Sequence, residues 1–234
     1  MGVQGDTFPC WGSGGKAPRF FPAFGPLTML TAAVLAGGQS VRMGQDKASL
    51  LLDGVPLLKV MTDRAASCAD EVLVVGRAGF PGLFASGVRF VPDLGELGGL
   101  PSSMRGLHAA LTHARGEFVL LLPCDMPFFD VGLVEYMKGL RPGADVVLPY
   151  PGGRFEPLCA LYRASLAVRA GALLEEGRLR LRALLEGPEL RVRLVEEGGY
   201  PFAEDAFFNI NTPEDYRRAL GLQRERNGGN GRRT

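Results

Sequence analysis

Apolar residues recur along this chain in short unbroken runs, and between those runs they recur at helical spacing. The segments "TAAVLA" (31–36), "EVLVVG" (71–76) and "FVLLLP" (118–123) show almost no polar alternation. Strands that are apolar on both faces are covered on both faces, as in a parallel sheet lying between helices. The pattern predicts strands at 31–36, 71–76, 88–91, 118–123, 145–148, 157–162 and 191–195. Stretches with a period near 3.6 predict helices around 57–69, 103–114, 131–140, 163–175 and 213–220. Alternation of the two predicts a three-layer α/β fold with a mostly parallel central sheet. Ligands of such sheets lie beyond the carboxyl ends of the strands. Two unusual loops leave strands at that end: "GGQSVRMGQDK" after the first run, and "CDMP" after "FVLLLP".

The two ends of the chain break the pattern. Residues 1–28 are rich in Gly, Pro and scattered aromatics, with neither period, and read as an extension outside the fold. Met29 stands immediately before the first strand and offers an alternative start; an ordered arm covering an apolar patch with Phe20, Phe21 and Phe24 is the other reading. Residues 222–234 form a polar, Gly-rich segment expected to be a flexible tail. One domain over 29–221 is left between them.

Composition narrows the function classes. Of 234 residues 46% are apolar, enough for one substantial core. Formal net charge is +1, with Lys16 and Arg19 against Asp6 leaving the first 28 residues at +1. Arg224, Arg226, Arg232 and Arg233 against Glu225 leave the tail at +3, so the body between carries −3. A general nucleic-acid binder is excluded, and any basic loop serves one local site. The cysteines, Cys10, Cys68, Cys124 and Cys159, have no regular spacing, and His108 and His113 do not share a helix face. A zinc site or disulfide framework is not expected, and free thiols suit a reducing cytoplasm. No apolar run approaches the eighteen residues of a membrane span.

Candidate chemistry sits in three places. In "LAGGQSVRMGQDK" (35–47) the spacing fits neither a dinucleotide fingerprint nor a Walker loop. Gly37 and Gly38 nevertheless free the backbone for an anion nest, Arg42 offers a planar fork of donors, and Lys47 a point charge. Together they suit the oxygens of a triphosphate; a turn with two solvated cations is the plainer reading. Asp125 ends the most apolar strand, where a lone carboxylate is costly unless a divalent cation bridges it to phosphates. Its other candidate role is to cap the helix that follows. In "FFNINTPEDY", Thr212 and Pro213 start a helix, while Asn209 and Asn211 alternate outward from an apolar strand, and Asn211 is placed to complete a metal's ligands beside Asp125.

The segments "LAGGQSVRMGQDKASLLLDGVPLL", "VPD" (91–93), "LLPCDMPF", "EPLCALY" and "NINTPEDY" occur in the order seen in molybdenum cofactor guanylyltransferases, and the chain resembles that MobA-like family from about residue 30 to 220. The resemblance implies a Rossmann-like nucleotidyltransferase fold of the nucleotide-diphospho-sugar transferase type. It implies transfer of GMP from GTP to the phosphate of molybdopterin or Mo-molybdopterin, with Mg²⁺, releasing pyrophosphate. By position, Leu35, Ala36 and Gly37 would line the base and ribose end of the GTP site. Gly38, Arg42 and Lys47 would meet its phosphates, Asp93 would lie in the nucleotide pocket, and Asp125 would hold the metal. Transient contact with cofactor-delivery proteins or target molybdoenzymes would follow. Two segments depart from the family pattern. "VLVVGRAG" lacks an asparagine that some members carry there, and "GGLPSSMRGL" (98–107) is nearer the cytidylyltransferase type. Cytidylyl or sugar-phosphate transfer is therefore the nearer rival, and a catalytically silent nucleotide-binding protein the rival of another class. Arg178, Arg180 and Arg182 are either a solvated helix face or receivers of the acceptor's phosphate.

Overall fold

Strand β1 (Leu30–Leu35) is buried apart from its half-buried last residue, and it lies in the middle of a seven-stranded sheet. The structure, a computed structural model, describes residues 29–36, 47–76, 87–92 and 102–230. On one side β1 pairs in parallel with β4 (Glu71–Val75), which pairs with β5 (Val88–Val91). On the other it pairs in parallel with β6 (Phe118–Pro123), in a register that sets Leu35 beside both Val75 and Pro123. Beyond β6 come β8 (Ala160–Arg163), β7 (Val146–Pro149) and β9 (Val192–Val195). Only β8 runs against its neighbours, so the other six strands point their carboxyl ends the same way.

Alternate residues of each strand face opposite layers. Leu30, Ala32, Val34, Leu120 and Leu122 pack with Leu58, Met61 and Ala65 of α1 (Leu57–Ala66) and Leu133, Val134 and Met137 of α3 (Val131–Gly139). Ala33, Leu73, Val75, Val119 and Leu121 pack with Leu107 and Leu111 of α2 (Ser103–His113) and Ala170 and Leu173 of α4 (Ala167–Glu175). The three-layer reading is borne out. Helix α2 approaches β1 closely at Gly106, where a Cβ would stand 2.8 Å from Cδ2 of Leu35.

Four local features differ from the sequence expectation. A hairpin, β2 (Leu51–Leu52) and β3 (Val55–Pro56), turns through Asp53 and Gly54, both with positive φ (55° and 79°), as a two-residue primed turn requires. The segment predicted as a strand over 157–162 opens as the single 3-10 turn Pro157–Cys159, where Pro157 has no N–H to give to a ladder. The helix predicted over 163–175 begins only after a further turn, Ala164–Leu166. The last helix does not stop near 220: α5 spans Pro213–Asn230 and takes in most of the segment read as a tail. Arg226 pairs with Asp205 at 2.8 Å and its guanidinium lies over the Phe128 ring, and Asn227 donates to Asp53 at 2.8 Å. These contacts extend the helix past its apolar stripe. Residues 1–28 and 231–234 lie outside the described residues.

At the amino ends of the strands, buried Glu71 receives the Thr31 hydroxyl (2.7 Å), the Arg89 guanidinium (2.9 and 2.7 Å) and the Arg115 N–H (2.9 Å). Gly116 donates its N–H to the Thr31 hydroxyl oxygen at 3.0 Å and passes so close that a Cβ would lie 2.6 Å from the Met29 carbonyl oxygen.

Candidate active site

The carboxyl end of β1 is tied to its neighbours by the backbone. Leu35 accepts a hydrogen bond from the Cys124 N–H (3.1 Å), and Ala36 donates to the Val75 carbonyl (2.8 Å). Leu35 and Ala36 thus sit where the glycine loop leaves the sheet, and the "CDMP" loop begins beside them. The loop returns at Lys47, the first residue of a 3-10 turn, Lys47–Ser49, whose end is closed by the Leu50 N–H on the Lys47 carbonyl (3.2 Å).

Three side chains from distant parts of the chain converge here. The Lys47 ammonium donates to Oδ2 of Asp125 at 2.7 Å and to Oδ1 of Asn211 at 2.8 Å. The Lys47 and Asp125 side chains are 18% and 16% exposed, so the pair is shielded but reachable from solvent. Asn211 is held by its neighbour: Ile210, fully buried, donates its N–H to the Asp125 carbonyl at 2.9 Å. That single bond replaces the strand expected at "FFNI". Asn209 is turned away, donating to the Phe207 carbonyl at 3.1 Å.

Behind Asn211, the start of α5 forms a reciprocal cap. The Asp215 N–H donates to the Thr212 hydroxyl oxygen (3.1 Å), while the N–H groups of Asn211 (3.0 Å) and Thr212 (2.9 Å) donate to Oδ2 of Asp215. The Asn211 N–H bond, followed by the Thr212 hydroxyl and N–H and the nearby Lys47 charge, holds the Asp215 carboxyl below the ordinary aspartate value. Thr-x-x-Asp, Thr212 to Asp215, is the sequence signal for this role. Asp125 is not the cap of α3. That cap is Asp130, whose Oδ1 accepts from the Gly132 N–H at 2.8 Å. Asp125 is thereby left to the site.

Gly37, Gly38, Arg42 and Asp93 lie outside the described residues. Cys68 and Cys159 are poor nucleophiles: burial pushes the Cys68 thiol up to about 11 and Cys159 higher still. Arg178 pairs with Glu186 and Glu176, and Arg180 and Arg182 are exposed around a 3-10 segment, Leu181–Leu185, rather than along an α-helix. Among the described residues no three His, Cys, Asp or Glu side chains cluster, and no helix is long and apolar enough to cross a membrane.

The chain is similar to known proteins over most of its length. A family model described as the MobA-like NTP transferase domain matches residues 32–194. The probable molybdenum cofactor guanylyltransferase of Nostoc sp. is 35% identical over 192 residues, covering 80% of this chain and 88% of that protein. The one from Pelotomaculum thermopropionicum is 38% identical over 193 residues, covering 79% and 89%. Among solved structures, molybdopterin-guanine dinucleotide biosynthesis protein A from Archaeoglobus fulgidus superposes with a TM-score of 0.69 at 26% identity, over 83% of this chain and 99% of that one. The chain belongs to the MobA-like NTP transferase domain family.

Proposed function

We propose that the protein transfers GMP from GTP to the phosphate of molybdopterin, in the cytoplasm, releasing pyrophosphate. The observation that carries this reading is the convergence of Lys47, Asp125 and Asn211 at the carboxyl ends of β1 and β6. The family supports nucleotidyl transfer, and the names of the relatives support guanine and the molybdopterin acceptor.

The residues fit a magnesium site. A carboxylate oxygen and an amide oxygen from separate segments already converge on one cationic group, the Lys47 ammonium. Hard oxygens, few in number, suit magnesium, which keeps water and substrate phosphates as its other ligands. Asp125 and Asn211 would hold the ion, and its chemistry is to neutralise phosphate charge where the bond breaks. The chain's own residues do the rest. The acceptor's phosphate oxygen forms a bond to the α-phosphorus of GTP while the bond from that phosphorus to the β-phosphate bridging oxygen breaks. A phosphate dianion needs no general base, which agrees with the absence, among the described residues, of a Ser-His or Cys-His pair. Lys47 neutralises charge on the departing pyrophosphate, and Arg42 grips phosphate oxygens bidentately, beside the amides of Gly37 and Gly38. Leu35, Ala36 and Asp93 are assigned to the base and ribose.

The reading is tested by incubating the full chain and Mg²⁺ with molybdopterin and each of the four nucleoside triphosphates in turn. Pyrophosphate release with GTP alone is expected. Release with CTP alone would assign the cytidylyl reaction that "GGLPSSMRGL" suggests, and binding of GTP without turnover would assign a silent nucleotide-binding protein.

A further inference from the structure

The other half of the same sheet end carries aromatic rings and a carboxylate that nucleotide binding leaves unused. After β7 ends at Pro149, the chain doubles back through Gly152 and Gly153, both in left-handed backbone (φ 54° and 77°). The Gly152 N–H is held by the Glu197 carboxylate (3.0 Å), and the Glu156 N–H returns to the Pro149 carbonyl (3.1 Å). Within this loop the Tyr150 and Phe155 rings stand 4.8 Å apart, and Phe155 is 41% exposed. Glu156 follows directly and is half-buried. Among the described residues no hydrogen bond or ion pair holds its carboxylate. Burial pushes that carboxyl up from the ordinary glutamate value, against the pull of Arg154. A desolvated carboxylate without donors is costly, and a ligand bringing two N–H groups relieves the cost.

We propose that Tyr150, Phe155 and Glu156 hold the pterin ring of the acceptor, the aromatic rings against its face and the Glu156 carboxylate on the N–H groups of its 2-amino-4-oxo edge. The proposal rests on the reading of the protein as a molybdopterin-using transferase. Guanine presents the same donor edge, but the strand order separates the two rings. From β1, where the nucleotide base is assigned, to β7 is three strand spacings, about 14 Å; from β6, which carries Asp125, to β7 is two, about 10 Å. Ala160 sits beside Leu121, so the turn Pro157–Cys159 runs along the last residues of β6 and links Glu156 to the Asp125 side. An acceptor with its phosphate at Asp125 thus reaches β7 with its pterin, which lies at the opposite end of molybdopterin from the phosphate.

The test is equilibrium binding to the full chain of two small probes, 6-hydroxymethylpterin and 6-hydroxymethyllumazine, which differ in the 2-amino group, with GTP binding measured in parallel. The wild type should bind the pterin about tenfold more tightly than the lumazine. Glu156→Gln should lose that preference with GTP affinity unchanged, and Phe155→Ala should weaken both probes alike. Equal binding of the two probes by the wild type overturns the proposal even if the variants fold poorly. Loss of GTP affinity in Glu156→Gln, with the pterin unaffected, also overturns it and assigns the carboxylate to guanine. Binding needs no turnover, so a pterin-selective protein that releases no pyrophosphate would refute the transferase reading and leave the subsite standing.

Discussion

The two ends of one sheet use carboxylates in opposite ways. At the amino ends, Glu71 is surrounded by the Thr31 hydroxyl, the Arg89 guanidinium and the Arg115 N–H, and Asp145 by the Arg191 guanidinium (2.9 and 2.8 Å) and N–H (3.0 Å). At the carboxyl ends, Asp125 meets the Lys47 ammonium, and Glu156 has no partner among the described residues. Asp145 and Asp125 are equally shielded, with side chains 15% and 16% exposed, so depth alone does not explain who has donors. A buried carboxylate whose lone pairs are filled by the protein fixes strand ends together and has nothing left for a ligand. One that is shielded yet undersupplied keeps its capacity for a ligand. Stability and function are divided along the strand axis, as expected where ligands meet a parallel sheet.

The comparison is broken hardest at Asp125. Asp125→Ala should cost several kcal/mol of transition-state stabilisation, about a thousandfold in kcat, with the melting temperature nearly unchanged. Turnover near the wild-type level at saturating Mg²⁺ would remove Asp125 from the site. Lys47→Ala should fall next, lowering kcat more than it raises KM for GTP, because its charge is needed most as pyrophosphate leaves. An unchanged kcat would return Lys47 to a structural role.

At the other end the expected effects exchange places. Glu71→Ala strips a buried network of its acceptor and leaves Arg89 and Thr31 without it, which should cost about 3 kcal/mol of folding stability. Denaturant unfolding reads that loss, while kcat measured well below the melting temperature should stay at the wild-type value. A smaller loss, about 2 kcal/mol, is expected for Gly116→Ala, since its Cβ meets the Met29 carbonyl rather than a side chain that could move aside. If either variant lost activity before stability, the division between the two ends would be wrong.

The sequence made one side of this division more legible than the other. Buried strands such as Phe118–Pro123 announce themselves by unbroken apolar runs, and the three-layer fold follows from their alternation with helices. Asp125 and Asn211 stood out because a charge or an amide closes an apolar segment, and Lys47 because it is a cation at the end of a glycine loop. Their convergence did not, because it depends on the Ile210 bond to the Asp125 carbonyl across 85 residues of chain. The Glu71 network was hidden for a related reason. "DEVLVV" reads as a strand with a polar first residue, and only the register of β4 against β1 sets Glu71 beside Thr31. The hairpin at Asp53–Gly54 had a visible signal, the Asp-Gly pair, but strands of two residues carry no period to accompany it. The reach of α5 was illegible because polar contacts, Arg226 to Asp205 and Asn227 to Asp53, carry it past its apolar face.

The gentlest test titrates the amino end. Burial alone would raise the Glu71 carboxyl, but the Arg115 N–H, the Thr31 hydroxyl and Arg89 outweigh it and hold the group below its ordinary 4.5. Asp145 is drawn from 3.8 down to about 2, first by the Arg191 side chain and then, against its own desolvation, by the Arg191 N–H and the charges of Arg191 and Arg163. Both folded values are depressed, so the unfolded chain binds protons first as the pH falls. The stability these groups contribute is therefore complete above about 4.5, shrinks as the pH drops through 3.8, and for Asp145 is exhausted near 2. Unfolding free energy measured against pH should fall through that window in the wild type. Glu71→Gln should start lower at neutral pH and fall less steeply, the Asp145 part remaining. A Glu71→Gln curve that ran parallel to the wild type across that window would mean that the Glu71 charge does not hold the amino end.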